Sequence, residues 1–190
     1  MSTRLVELCQ GLLVLVFAAC LIFTMGSVAQ AKNTKLMDKG FEIMLTSFQH
    51  MQNGVNTIDK GVAMIDQIAQ EKGVTKDIAA ARKTIDGGRA IGGDGFKVFR
   101  EGQKLYLGNK GKHNKAMYDG VDLMVKGGNT IGKAVKRIQE GVLTVNKVAK
   151  EKGFANLMDA PNNTIKTGVE MALRGVKSFA EGKKLYMENK

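Results

Sequence analysis

Apolar residues recur with a helical period in the first part of the chain after residue 31. From Met37 to Ala69 they fall at alternating steps of four and three residues without a break. A heptad pattern sustained over this length predicts a long amphipathic helix that packs in the manner of a coiled coil. Glu71-Lys72-Gly73 ends the pattern, with a lysine in the last turn and a glycine at the position where helices commonly terminate.

The same pattern returns in the second half of the chain, from Met117 to Ala149, and ends in Glu151-Lys152-Gly153. When residues 32–110 are aligned without a gap on residues 112–190, 27 of the 79 positions are identical. A repeat of this length indicates a tandem duplication. We therefore predict a first repeat at 32–110 and a second at 111–190, which together form one domain, 32–190.

Each repeat also contains a second, less regular apolar stripe. Thr75 is the predicted N-cap of that helix in the first repeat, and Asp159 begins it in the second, because Pro161 is tolerated only in a first turn. Pro161 is the only proline in the chain, and Gly108 to Asn114 link the two repeats. The predicted fold is all-α: four long helices, arranged as two tandem helical hairpins in an antiparallel, coiled-coil-like four-helix bundle.

Glycines recur at seven-residue steps along one edge of each stripe. Each one costs about 1 kcal/mol of helix propensity relative to alanine, and a random surface would not place that cost in register. We interpret them as sites where two helix backbones approach closely. The alternative is a groove, floored by glycine and walled by Met and Phe, that carries an apolar ligand or lipid. The predicted packing glycines are Gly40, Gly54, Gly61, Gly120, Gly127, Gly141, Gly168, Gly175 and Gly182.

Residues 1–31 have the features of an export signal. Arg4 precedes an uncharged apolar run, and Ala29 and Ala31 form an A-x-A site that predicts cleavage after Ala31. This places the mature protein in the periplasm or the medium. Two alternatives remain open: an uncleaved segment from Gly11 to Ala31 is long enough to anchor the protein in a membrane, and Phe17 to Cys20 form a poor lipobox.

The positions of the cysteines and the net charge of the chain limit the possible classes of protein further. The two cysteines, Cys9 and Cys20, both lie in the leader, so the mature chain relies on its core and not on disulfides. The formal net charge is +11, and both repeats are basic. Such a charge favours an anionic membrane surface or an acidic polymer as partner, although it is equally typical of a solvated helical surface. Export argues against nucleic acid as the natural partner.

No catalytic constellation can be assembled from the mature sequence. It contains no CxxCH and no HExxH, and the only histidines, His50 and His113, have no counterpart in the other repeat. A duplicated active site should appear in both copies. We predict that the protein is not an enzyme, with no catalytic residues and no cofactor.

Copper binding is a weaker alternative function. Outside the cytoplasm, thioethers can bind Cu(I), and Met44 and Met51 lie near His50 in sequence. Methionine in such a stripe is more often core filler, and residues seven apart on one helix are separated by about 10 Å. We therefore predict no metal site, with Met44, His50 and Met51 as the weak candidates.

The motif Glu-Gly-x-Lys-Leu-Tyr closes both repeats. One interpretation is that the tyrosines and lysines contact a partner or a membrane interface. We favour the simpler one, in which each glutamate pairs with the lysine three residues on and the tyrosine completes the apolar face. The motif residues are Glu101, Lys104, Tyr106, Glu181, Lys184 and Tyr186.

Together these features favour an exported, non-enzymatic bundle with a structural or interaction role in the cell envelope. Its basic faces would meet the anionic partner. A carrier of an apolar ligand is the alternative, and a copper-binding protein is the further one. The sequence leaves open whether the protein forms a homo-oligomer and whether the bundle opens.

Overall fold

The structure, a computed structural model, describes residues 34–190 and is helical almost throughout. The helices are α1 (Thr34–Glu71), α2 (Ala79–Asn109), α3 (Lys115–Glu151) and α4 (Asp159–Met187), and a 3-10 turn (Ala155–Met158) leads into α4. The prediction of an all-α, antiparallel four-helix bundle is confirmed. The predicted signal, its cleavage site after Ala31 and both cysteines lie outside the described residues. No helix within residues 34–190 is long and apolar enough to cross a membrane.

A glycine follows two residues after the end of the first helix of each repeat, as predicted. Gly73 has a φ of 67° and Gly153 a φ of 79°, in the left-handed region that glycine adopts without strain. The next residue turns back onto the helix: the backbone N–H of Val74 donates to the carbonyl of Ala69 at 2.9 Å, and Phe154 does the same to Ala149. Both Val74 and Phe154 are buried, so each turn is held by a hydrogen bond and an apolar contact.

The start of α2 was predicted wrongly. The helix begins at Ala79, and the Thr75 hydroxyl donates to the carbonyl of Ala69 at 3.5 Å and does not cap α2. Residues after Gly73 are needed to reverse the chain, which delays the helix by one turn. In the second repeat α4 begins at Asp159 with Pro161 in its first turn, as expected. The glycine-rich stretch 86–95 lies within α2, which is continuous.

The closest helix pairs join the two repeats. The backbones of α1 and α4 run in close contact, and so do those of α2 and α3, whereas the helices within one repeat are farther apart. The two hairpins predicted from sequence are therefore present in the chain order, but each repeat finds its tightest packing partner in the other repeat.

Large side chains fill the space between the two close pairs. Phe41 on α1 stacks on Tyr106 of α2 with ring centroids 3.8 Å apart, and Phe48 stacks on Phe99 at 3.9 Å. One continuous cluster of buried side chains includes residues from all four helices. Glycine brings backbones together on two sides of the bundle, and aromatic and aliphatic residues hold them apart on the other two.

Candidate functional site

The predicted packing glycines lie against neighbouring helices. All nine are buried, and a Cβ atom built on any of them would come within 2.7 Å of an atom on the facing helix. At Gly54, for example, it would lie 2.5 Å from the carbonyl oxygen of Gly168, and at Gly40 it would lie 2.6 Å from that of Gly182. The stripe is occupied by protein backbone, so it does not form the groove that the carrier hypothesis requires.

The weak copper candidates are not brought to a common site. Met44 and Met51 are completely buried among core side chains, whereas His50 on the same helix is exposed. Within residues 34–190 no three His, Cys, Asp or Glu side chains are grouped as metal ligands. These residues therefore offer thioethers inside the core and an imidazole outside it.

The repeated motif divides between core and surface. Tyr106 and Tyr186 are buried, while Glu101 and Lys104 are exposed, as are Glu181 and Lys184. The expected pairs three residues apart do not form. Lys184 instead lies 3.8 Å from Glu188, which directly follows the end of α4. Neither tyrosine is available to a partner on the surface of the closed bundle.

The two tyrosines differ in the hydrogen bonding of their hydroxyl groups. Burial raises the pKa of Tyr106 to about 12, helped by the nearby Asp38 carboxylate, which accepts a hydrogen bond from the phenol. Asp38 also pairs with Lys110 at 3.2 Å. Burial raises the pKa of Tyr186 as well, but its hydroxyl has no hydrogen-bond partner among residues 34–190. The duplicated tyrosine is thus satisfied in one repeat and orphaned in the other.

Three ion pairs join α1 to α2 and to Lys110 just after it, whereas none of the three matching pairs of residues in the second repeat can form one. The pairs are Asp38–Lys110 at 3.2 Å, Asp59–Arg89 at 2.7 Å and Asp66–Arg82 at 2.8 Å. The corresponding residues are Tyr118 with Lys190, Gln139 with Val169, and Asn146 with Asn162. Asn146 and Asn162 exchange two amide hydrogen bonds of 3.1 Å, and Lys190 lies over the Tyr118 ring. Three carboxylates of α1 therefore have no counterpart on α3.

Helix α3 also carries a basic face that α1 lacks. Between Asp122 and Glu140 it contains no carboxylate, and its four cations there are exposed: Lys126, Lys133, Lys136 and Arg137. Lys126, Lys133 and Arg137 are spaced by seven and four residues, so they share one side of the helix. The matching positions of α1 hold Thr46, Asn53, Asn56 and Thr57. We call these four cations the α3 basic face.

A groove of about 620 Å³ runs between α1 and α2, on one of the two sides where the helices are held apart. Val55, Gly93 and Phe96 provide its apolar surface, with Gln52 and Asn56 as polar neighbours. Charged side chains surround it: Asp59, Arg89, Lys97, Arg100, Glu101 and Lys104. Sequence analysis did not identify this groove as a site, although Arg89 and Gly93, which line it, belong to the glycine-rich stretch 86–95.

No protein-family model, curated protein or solved structure is significantly similar to this chain. Function must therefore follow from the surfaces of the bundle itself. Two surfaces of residues 34–190 combine a defined shape with cations that form no ion pair within those residues. They are the α3 basic face, at Lys126 and Lys133, and one end of the groove between α1 and α2, at Lys97, Arg100 and Lys104.

Proposed function

We propose that this protein is an exported, non-enzymatic helical bundle that binds an anionic membrane surface or an acidic polysaccharide of the cell envelope through the α3 basic face. The observation that carries the proposal is the run of exposed cations on α3 with no carboxylate between Asp122 and Glu140. Lys126 and Lys133 form no ion pair with any of residues 34–190. A face of this kind attracts polyanions at long range.

The packing of the core supports binding by charge. The methionines and phenylalanines of the α1 stripe are buried, and the glycine edges are covered by neighbouring helices. A closed bundle thus presents few apolar groups for insertion into a bilayer. A carrier of the kind considered from sequence would have to open the bundle and lose this packing. Export itself rests on the leader, residues 1–31.

Co-sedimentation of the mature protein, residues 32–190, with vesicles or an acidic polysaccharide tests the proposal. We expect binding to anionic vesicles at low salt and little to neutral ones. The binding should largely disappear at high salt, because the screening length falls from about 10 Å at 0.1 M to about 3 Å at 1 M. Lys126→Glu combined with Lys133→Glu should abolish it.

The matched control is Lys166→Glu combined with Lys177→Glu, which changes the net charge equally at two exposed lysines of α4. We expect this variant to keep most of the binding. An equal loss in both variants would mean that net charge and not the α3 basic face attracts the partner. Salt-resistant binding to neutral vesicles would instead support the carrier, since apolar burial is not screened by salt.

A further inference from the structure

The groove between α1 and α2 lies in the first repeat, and the second repeat carries different residues at several of the positions that form it. Its floor depends on Gly93, where a Cβ atom would meet nothing within 4 Å. The corresponding residue of the second repeat is Leu173, which packs against the core. Two of the cations beside the groove, Arg89 and Arg100, correspond to Val169 and Ala180. The first repeat therefore differs from its copy in both the space and the charge of this one region.

The charges around the groove are partly neutralised within the fold. Arg89 is held by Asp59 at 2.7 Å and also lies 3.4 Å from Asp86, so this end of the groove is closed by an internal ion pair. At the other end, Lys97, Arg100 and Lys104 form no ion pair with any part of the chain that the structure describes. The groove thus has one neutral end and one end with three free cations and a single carboxylate, Glu101.

The apolar part lies between these two ends. Val55 is 8 % exposed, and the half-buried Phe96 ring packs edge-on against Phe48 with centroids 5.4 Å apart. The ring is therefore fixed by the core, and it contributes an apolar wall beside the bare backbone of Gly93. A volume of about 620 Å³ suits a small molecule and not a protein segment.

We propose that this groove binds a small amphiphilic anion, a carboxylate that carries a medium-length acyl chain. The acyl chain lies over Gly93 and Phe96, and the carboxylate meets Arg100, whose guanidinium can donate two parallel hydrogen bonds to it. Lys97 and Lys104 flank Arg100 on the same side of α2 and add to the positive potential. The proposal is independent of the α3 basic face, because the two surfaces share no residue.

Titration of the mature protein with decanoate, kept below its micelle concentration, tests this site. Amide chemical shifts identify the residues affected and calorimetry gives the affinity. We expect saturable binding with shift changes around Val55, Gly93 and Phe96. Decanol, which has the same chain without the charge, should bind about tenfold more weakly or worse.

Two substitutions introduce the residues of the second repeat into the first. One tests the contribution of the open space in the groove to binding, and the other tests the contribution of its positive charge. Gly93→Leu fills the groove as Leu173 does, and should abolish binding without lowering the melting temperature, because the position is open and leucine favours helix. Arg100→Ala introduces the residue found at the matching position, Ala180. It should weaken decanoate binding by about tenfold or more. Its control is Arg174→Ala, which removes an exposed arginine of α4.

The proposal is overturned if Gly93→Leu binds decanoate as well as the unchanged protein, or if decanol and decanoate bind equally. Shift changes spread through the core, with loss of cooperative melting, would also overturn it, since they would show that the ligand opens the bundle. Vesicle binding through the α3 basic face should survive Gly93→Leu, so failure of one proposal can be distinguished from failure of the other.

Discussion

At the scale of single residues, the duplicated tyrosines illustrate how two copies of one side chain acquire different energetics. Tyr106 is buried with Asp38 as its acceptor, and Tyr186 is buried with no hydrogen-bond partner in the described part of the chain. A buried hydroxyl without a partner has lost its hydration and gained nothing in return. The cause is the residue that replaces Asp38 in the second repeat, Tyr118, which has no carboxylate to offer and whose ring lies under Lys190.

The pair predicts opposite effects of the same substitution. Tyr106→Phe removes a hydrogen bond to a carboxylate, so the free energy of unfolding should fall by about 1.5 kcal/mol or more. Tyr186→Phe keeps the shape of the ring and removes only a hydroxyl that has no partner among the described residues. The free energy of unfolding should therefore stay the same or rise by about 1 kcal/mol. Urea unfolding followed by circular dichroism measures both. An equal loss in the two variants would show that the Tyr186 hydroxyl has a partner after all.

At the scale of the helices, glycine determines which pairs pack closely. Gly54 on α1 faces Gly168 on α4, and Gly127 on α3 faces Gly95 on α2, each with a built Cβ within 2.6 Å of the opposite carbonyl oxygen. Carbonyl oxygens belong to the backbone and cannot move aside as a flexible side chain could. The helix propensity lost at these glycines is the cost of bringing two backbones together.

Gly54→Ala and Gly93→Ala form a matched test of this account. Alanine raises helix propensity by up to about 1 kcal/mol at both positions. At Gly54 it also forces the backbones of α1 and α4 apart, and overpacking of this kind typically costs about 1–3 kcal/mol. We expect thermal melting to show a destabilised Gly54→Ala and a stabilised Gly93→Ala. Stabilisation of both would mean that the α1–α4 contact is looser than the structure indicates.

At the scale of the whole molecule, the two repeats behave like the subunits of a dimer joined by a linker. The close pairs α1–α4 and α2–α3 both cross between the repeats. A repeat on its own would keep only the wider contact of its hairpin and would expose both glycine edges. We therefore expect each half to depend on the other for its stability.

Splitting the chain in the linker tests this dependence. Fragments 32–111 and 112–190 should each show weak helicity and no cooperative melting when alone. Mixed in equal amounts, they should form a one-to-one complex with the helicity of the intact protein. Circular dichroism and size-exclusion chromatography measure both properties. A monomeric fragment 32–111 that melts cooperatively would show that the hairpin is the stable unit.

Much of this architecture follows from local pattern. The heptad spacing from Met37 to Ala69, the terminal Gly73 and Gly153, and the late Pro161 predicted the helices because each acts within a few residues of the chain. The prediction that Thr75 caps α2 was wrong because capping depends on how the chain leaves the preceding turn. The groove was missed because its residues lie on two helices whose spacing is set by aromatic rings elsewhere in the bundle, although Gly93 opposite Leu173 in the alignment was a usable signal.

The sequence by itself determined that the protein is a duplicated, all-α chain with glycine in register along its stripes. Only the tertiary structure decided that those glycines join α1 to α4 and α2 to α3. A stripe of small residues predicts that another helix backbone packs closely against it. It does not identify which helix, because all four helices have a similar stripe. Pairing is a property of the assembled bundle, in which large residues such as Phe48 and Phe99 leave glycine only two sides on which to meet glycine.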